Sequence, residues 1–311
     1  MRSKQSGPNF ERPPRQLNVV RIKLVVVSLG AGLAALISSF TGITPQVSFA
    51  PMIGWMLGFS PAKSQASAMR VTAATAIACV AGAVWRSSLR AIVSPGADAR
   101  LSQINVAHAA PSVFFQSVAA IFVGATAGAV LSVKAVPRPG MIALRRAFLF
   151  LGVCIGIYVA SEGSHYSSLT GNTNPRFQGA IALLLLGFVS GALTQVSGLA
   201  SGIILVPLLY FAAGLTIQQS ILVSLTVVGL AAMLPAWSYH RRGLGDLQYS
   251  AAGMIGGIAI GFVGGAILVS ISTRLLLLLF ALMSMFFSAR EISILALELP
   301  KSSTPSGPDL N

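Results

Sequence analysis

The side chains that most often carry out chemistry in proteins are scarce in this sequence. It has seven acidic and three histidine residues among 311, and only Glu291 approaches an apolar segment, near the end of the last one. Cys79 and Cys154 lie within apolar runs, where a free thiol behaves as a small hydrophobic group. These residues predict no catalytic group, metal site or cofactor, so we expect that the protein is not an enzyme.

Two polar, glycine-rich elements interrupt the apolar sequence instead, one before Pro51 and one before Pro207. We interpret these two prolines as structural hinges. Hydroxyls, amides and the free N–H groups at the start of a helix suit an anion, because that end carries a partial positive charge. The alternative is a packing kink, in which small residues let helices approach closely. The candidate binding residues in the two elements are Thr41, Gly42, Thr44, Gln46, Gln195, Ser197, Gly198, Ser201 and Gly202.

The composition places these elements in a membrane. The chain is 54% hydrophobic and 9% charged, with a mean hydropathy of +0.79, whereas about a quarter of the residues in a soluble domain are charged. Several apolar segments reach the length of about 20 residues that crosses a hydrocarbon core. We therefore predict an all-α polytopic membrane protein with eight to ten transmembrane segments. The range reflects two short segments, 45–59 and 199–214, each of which either spans the membrane or enters and leaves it on the same side.

The net charge of +14 does not predict a nucleic-acid partner, because the basic residues form no aromatic-interleaved patch and no known module. They lie between apolar segments, mostly on the side of the N-terminus, as the positive-inside rule predicts. We expect a multi-pass protein of the plasma or inner membrane with a cytoplasmic N-terminus. The predicted organisation is a disordered basic tail (1–23), a first transmembrane repeat (24–160), a polar linker (161–177), a second repeat (178–298) and a polar tail (299–311).

The two halves of the chain resemble each other at one offset. Gly42 and Gly198 are separated by the same number of positions as Pro51 and Pro207. An odd number of segments in each half would reverse the second copy in the membrane, which predicts an inverted repeat. In transporters of that architecture the site lies near the midplane, where broken helices meet. A further stripe, Gly253, Gly257, Gly261 and Gly265, predicts a tight helix contact within the fold or in a homodimer.

Arg70 stands inside the third segment, where an arginine is costly and by default suggests a function. Its guanidinium could hold an oxyanion through two hydrogen bonds, or it could extend its charge to the cytoplasmic interface marked by Lys63. Thr226 occupies the repeat position of Arg70. Thr226 and Ser224 either present hydroxyls to the same cavity or bond back to their own helix. We predict Arg70, Ser224 and Thr226 as further binding residues.

The second copy, GLASGIILVPLLYFAAGLTIQQSILVSLTVV followed by HRRGLGDL, resembles the sulfite exporter TauE/SafE family of membrane permeases. The resemblance extends over about 24–292 and is strongest at 187–271. It implies export of sulfite or an organosulfonate, with the family's glycine-rich cradle at Gly198, Ser201, Gly202 and Pro207, and at Gly42 and Pro51 in the first copy. The first copy departs from the family pattern at Thr44–Gln46 and at Arg70, so the identity of the substrate stays open.

The function predicted is transport of a small anion through a site formed by the two broken helices, in contact with lipid and no nucleic acid. The Arg70→Gln and Gln46→Ala variants are expected to impair transport without preventing folding. One alternative is a non-transporting membrane scaffold or assembly protein, which need not have two broken helices meeting at a polar site. A membrane-embedded enzyme is a third interpretation, and it lacks paired aspartates or a zinc-ligand cluster in the apolar segments.

Overall fold

Helices make up nearly all of the chain that the structure describes, and that part contains no strand. The structure is a computed structural model that describes residues 14–93, 118–128, 150–159, 161, 179–197, 201–213 and 215–297. The first half contains α1 (Pro14–Thr41), α2 (Gln46–Leu57), α3 (Pro61–Val93), α4 (Val118–Gly128) and α5 (Phe150–Val159). The second half contains α6 (Ala180–Ser197), α7 (Ser201–Pro207) with a π-helical turn (Leu208–Ala212), α8 (Ile217–Arg241), α9 (Leu247–Leu268) and α10 (Thr273–Leu297). The predicted all-α class is confirmed.

Within the described residues, five helices are long and apolar enough to cross a membrane: α1, α3, α8, α9 and α10. Their outward faces carry large apolar side chains, such as Leu29 at 69% exposed and Ile255 at 70% exposed. Exposed apolar surface of this extent marks contact with lipid or another protein rather than water. The protein is therefore a polytopic α-helical membrane protein, as predicted.

The start of α1 differs from the prediction of a disordered tail over 1–23. The helix already begins at Pro14, since proline suits the first helical position, where its fixed φ is helical and its missing N–H has no role. Residues 1–13, residues 162–177 of the predicted linker (161–177) and the tail 299–311 lie outside the described residues. The rest of the predicted division into repeats stays a prediction.

Glycines allow α9 to lie between α1 and α3 with close approaches between the helix backbones. A Cβ atom on Gly265 would lie 1.9 Å from the carbonyl oxygen of Cys79 in α3, and one on Gly256 would lie 2.0 Å from the carbonyl oxygen of Ser28 in α1. Only glycine permits such an approach, because contacts between helix backbones then replace side-chain packing. The predicted tight contact of the glycine stripe thus lies within the fold.

A second glycine contact of the same kind joins α4 to α6. A Cβ atom on Gly191 would lie 2.0 Å from the carbonyl oxygen of Ala125, and one on Gly124 would lie 2.0 Å from the carbonyl oxygen of Leu184. In each case the fourth helix of one half packs against the first helix of the other half. This reciprocal packing suits two related halves. Their inverted orientation stays a prediction.

Candidate functional site

The first helix break separates α1 from α2. Gly42 has a φ of +68°, a left-handed conformation that favours glycine. The hydroxyl of Thr41 donates to the carbonyl of Ile37 at 2.8 Å and accepts from the N–H of Ile43 at 3.2 Å. Thr41 and Thr44 are both buried. The residues that turn the chain therefore also satisfy part of the backbone that the break exposes.

The second helix break separates α6 from α7. Gln195 and Ser197 lie in the last turn of α6, and Ser201 begins α7; only their backbones are described, and Gly198 lies outside the described residues. After Pro207 the α-helix gives way to the π-helical turn, which closes with a hydrogen bond from the N–H of Ala213 to the carbonyl of Leu208 at 3.3 Å. Turns of this type often accompany functional sites.

The two breaks touch each other. A Cβ atom on Gly202 would lie 1.9 Å from the carbonyl oxygen of Gly42 and 2.9 Å from the Cα of Ile43. The hydroxyl of Ser224, which is fully buried in α8, donates to the same Gly42 carbonyl at 3.2 Å. We call this meeting point, formed by Gly42, Gly202 and Ser224, the break contact. It brings together three of the residues predicted from the sequence.

Several buried hydroxyls around the bundle have no partner among the described residues. Ser38, in the last turn of α1, belongs to this group, as do Thr72 and Thr75 of α3. A buried polar group without a hydrogen bond costs about 1–3 kcal/mol, so such groups often serve water or a polar ligand. Sequence reasoning did not select them, because serine and threonine are common in membrane helices and also bond to their own backbone.

Arg70 lies away from the break contact, at the turn between α8 and α9. Its Nη2 donates to the carbonyl of Leu244 at 3.1 Å and lies 3.4 Å from Nδ1 of His240. One helical turn away, the Ser67 hydroxyl accepts from the N–H of Asp246 at 3.0 Å. This face of α3 thus holds the α8–α9 turn. Substrate binding by Arg70 stays a prediction that the break contact does not support.

Gln46 and Thr226 also lie outside the break contact. The side-chain amide of Gln46 donates to the side-chain oxygen of Gln65 on α3. The Thr226 hydroxyl donates to the carbonyl of Leu222 in its own helix at 2.8 Å, which was the alternative considered for it. Thr226 also lines an apolar cleft of about 470 Å³ between α3 and α8. Neither residue adds a free polar group to the break contact.

Arg290 is a functional candidate that the sequence reasoning missed. It lies in α10, and its Nη1 donates to the carbonyl of Val47 in the first turn of α2 at 3.1 Å. The same nitrogen lies 3.6 Å from Oε1 of Glu291. One signal was available, because a charged residue inside an apolar span is by default a functional candidate.

The fold and its two touching breaks define a polytopic membrane protein with discontinuous helices, an architecture that many secondary transporters use. Residues 183–305 match the family model described as Sulfite exporter TauE/SafE. The predicted resemblance is confirmed over this part of the chain, and that family consists of membrane transporters of sulfite and related anions. No curated protein and no solved structure gives a significant match. The matched part contains α7, Ser224 and Arg290.

Proposed function

We propose that the protein transports a small anion, such as sulfite or an organosulfonate, and that the substrate passes at the break contact. The observation that carries this proposal is the backbone-to-backbone approach of the two breaks at Gly42 and Gly202. Irregular backbone at membrane depth persists only where it is buried in protein or lines a cavity. The match of residues 183–305 to a transporter family supports the same function.

The charges of the described residues favour an anion over a cation. Asp246 pairs with Lys63 at 3.3 Å, and Glu291 lies 3.6 Å from Arg290. Each of these carboxylates is thus already close to a basic side chain. The first turn of α2 adds N–H groups and the positive end of a helix dipole at the break. A cation would meet no free carboxylate in these pairs.

Alternating access would occur where α3 meets α8. A Cβ atom on Gly229 of α8 would lie 2.9 Å from the Cβ of Ala76 in α3. On one side of this interface, glycine contacts hold α1, α3 and α9 together. On the other side, α4 contacts α6 through glycines, and both helices share an apolar cluster with Val223 and Val227 of α8. We propose that these two groups of helices move as bodies and expose the break contact to each side in turn.

The membrane orientation is also a proposal. The bond from Arg70 to Leu244 and the ion pair of Lys63 with Asp246 place the start of α3 and the α8–α9 turn at one face. That turn carries Arg241 and Arg242 as well. A face rich in basic residues suits the cytoplasm, and the prediction that the N-terminus is cytoplasmic assigns this face to the same side.

A scaffold or assembly role is the second candidate function, and it needs no contact between two broken helices. An enzyme is less favoured still, because the matched family consists of transporters.

The experiment that tests the proposal replaces Ser224 by alanine and measures uptake of labelled sulfite into proteoliposomes. The variant loses the hydroxyl that donates to the Gly42 carbonyl, so we expect slower uptake by folded protein. Ser250→Ala is the control, because this buried hydroxyl donates to the carbonyl of Asp246 at the start of α9 instead. Equal uptake by wild type and both variants would remove the break contact as the site.

A further inference from the structure

We propose that Arg290 binds the substrate anion directly, through the edge of its guanidinium formed by Nε and Nη2. The ligand class is an oxyanion that presents two oxygens side by side, such as a sulfite, sulfonate or carboxylate. This inference rests on the proposed function and names the side chain that recognises the substrate.

The position of Arg290 requires an explanation. It lies within the apolar span Thr273–Ser293, where a guanidinium is costly unless it faces the bundle interior or a water-filled cavity. Its side chain is 28% exposed, so it is neither fully sealed in the protein nor fully extended to the surface. A half-buried cation of this kind is accessible to a small ligand.

The contacts of Arg290 leave one edge of the guanidinium unused. Both of its contacts, to the Val47 carbonyl and to the Glu291 carboxylate, involve Nη1. A guanidinium has five N–H donors in a rigid plane, and Nε and Nη2 have no partner among the described residues. The edge that these two nitrogens form matches two oxygens of one anion. The Val47 contact fixes the plane before the anion arrives.

Arg290 contacts the first helix break and lies about one helical turn from a buried cluster that reaches the second. Val47, which it contacts, is in the first turn of α2. Phe287, about one turn earlier in α10, packs in the buried cluster that contains Ile43 of the first break and Ile203 of α7. By contrast, the guanidinium of Arg70 is engaged at the α8–α9 turn. Of these two arginines, Arg290 is the one that contacts a broken helix.

The geometry distinguishes oxyanions from halides. A guanidinium edge forms two parallel, nearly linear hydrogen bonds with two oxygens of a sulfonate, whereas a single chloride ion meets both N–H groups at a less favourable angle. Lysine at this position would keep the charge but lose the paired donors. The Arg290→Lys variant should therefore lose discrimination between anions, and the Arg290→Gln variant should lose binding.

The test measures binding of sulfite, methanesulfonate and chloride to the full-length purified protein by isothermal titration calorimetry. We expect Arg290→Gln to weaken sulfite and methanesulfonate binding by about 10- to 100-fold, as for loss of hydrogen bonds to a charged group. Arg290→Lys should weaken methanesulfonate more than chloride. Arg86→Gln, which removes the same charge from an exposed position on α3, should bind as wild type does.

Two outcomes would overturn the proposal. The first is binding of both oxyanions by the two Arg290 variants at wild-type affinity, which would leave transport intact as a function and exclude Arg290 as its anion site. The second is an equal loss of chloride and methanesulfonate binding in Arg290→Lys, which would show that binding does not depend on paired donors matching two oxygens of one anion. Absence of binding and of uptake by wild-type protein would instead refute the proposed function, and this inference with it. Because Arg290→Lys keeps a donor for the Val47 carbonyl, it controls for a folding defect in Arg290→Gln.

Discussion

Replacing Gly202 by alanine should force the two helix breaks apart and slow transport. The new Cβ would lie 1.9 Å from the carbonyl oxygen of Gly42 and 2.7 Å from its carbonyl carbon, and real Cβ contacts essentially never fall under 3.0 Å. Both neighbours are backbone atoms, so no side chain can rotate away, and the helices must separate by about 1 Å. Overpacking of this kind costs about 1–3 kcal/mol of stability. A displacement of about 1 Å at a functional site can cost on the order of 100-fold in rate.

Gly191→Ala is the matched control for this variant. Its Cβ would lie 2.0 Å from the carbonyl oxygen of Ala125 in the contact between α4 and α6, so the steric conflict is similar but lies elsewhere. The assay is uptake of labelled sulfite per folded protein, with the thermal midpoint measured in parallel. At comparable midpoints we expect a loss of about 10- to 100-fold for Gly202→Ala and a much smaller loss for Gly191→Ala. Equal uptake by the two variants would refute the role of the break contact.

Two further predictions concern contacts between the halves. Arg70→Gln should impair transport by lowering the thermal midpoint and the maximal rate, because it loses the bond to the Leu244 carbonyl; a raised KM with unchanged stability would instead indicate anion binding. A disulfide between cysteines at Ala76 and Gly229, whose Cβ atoms would lie 2.9 Å apart, should block uptake reversibly. Cross-linking is followed by loss of maleimide labelling, and full uptake by the cross-linked protein would contradict movement at the α3–α8 interface.

The cross-linking experiment has its own control within one of the proposed bodies. Cysteines at Ser39 and Gly264 would join α1 to α9, where the Cβ atoms would lie 2.8 Å apart. Both pairs are about 1 Å closer than the separation of about 3.8 Å typical of a disulfide, so they impose similar strain. Cys79 and Cys154 are first replaced by alanine and serine. Uptake should survive oxidation of the α1–α9 pair if these helices move together.

The fold class and the positions of the breaks could be predicted because they depend on local sequence. Hydropathy over about 20 residues identifies a span, and glycine or proline within an apolar segment predicts an interrupted helix. Gly42, with its positive φ, and Pro207, at the change from α-helix to π-helix, show this directly. The architecture of transporters with inverted repeats predicted that the two breaks would meet, and Gly42 does approach Gly202, while the inverted repeat itself stays a prediction.

The polar partners could not be predicted, because they come from distant parts of the chain. Arg70 reaches Leu244, 174 positions away, and Arg290 reaches Val47, 243 positions away. Both arginines have the same sequence signature, a charge in an apolar segment. Only the hydrogen bond of Arg290 to the Val47 carbonyl shows that Arg290 lies at a break, while Arg70 holds a turn.

The measurement that tests the central claim most directly is uptake of labelled sulfite into proteoliposomes containing the purified protein, with and without an imposed pH gradient. Sulfate, sulfoacetate and acetate serve as competitors. Transport at the break contact predicts saturable, protein-dependent uptake that at least one of these oxyanions inhibits. No protein-dependent uptake of sulfite or of any competitor, from protein shown to be folded, would contradict transport and favour the scaffold.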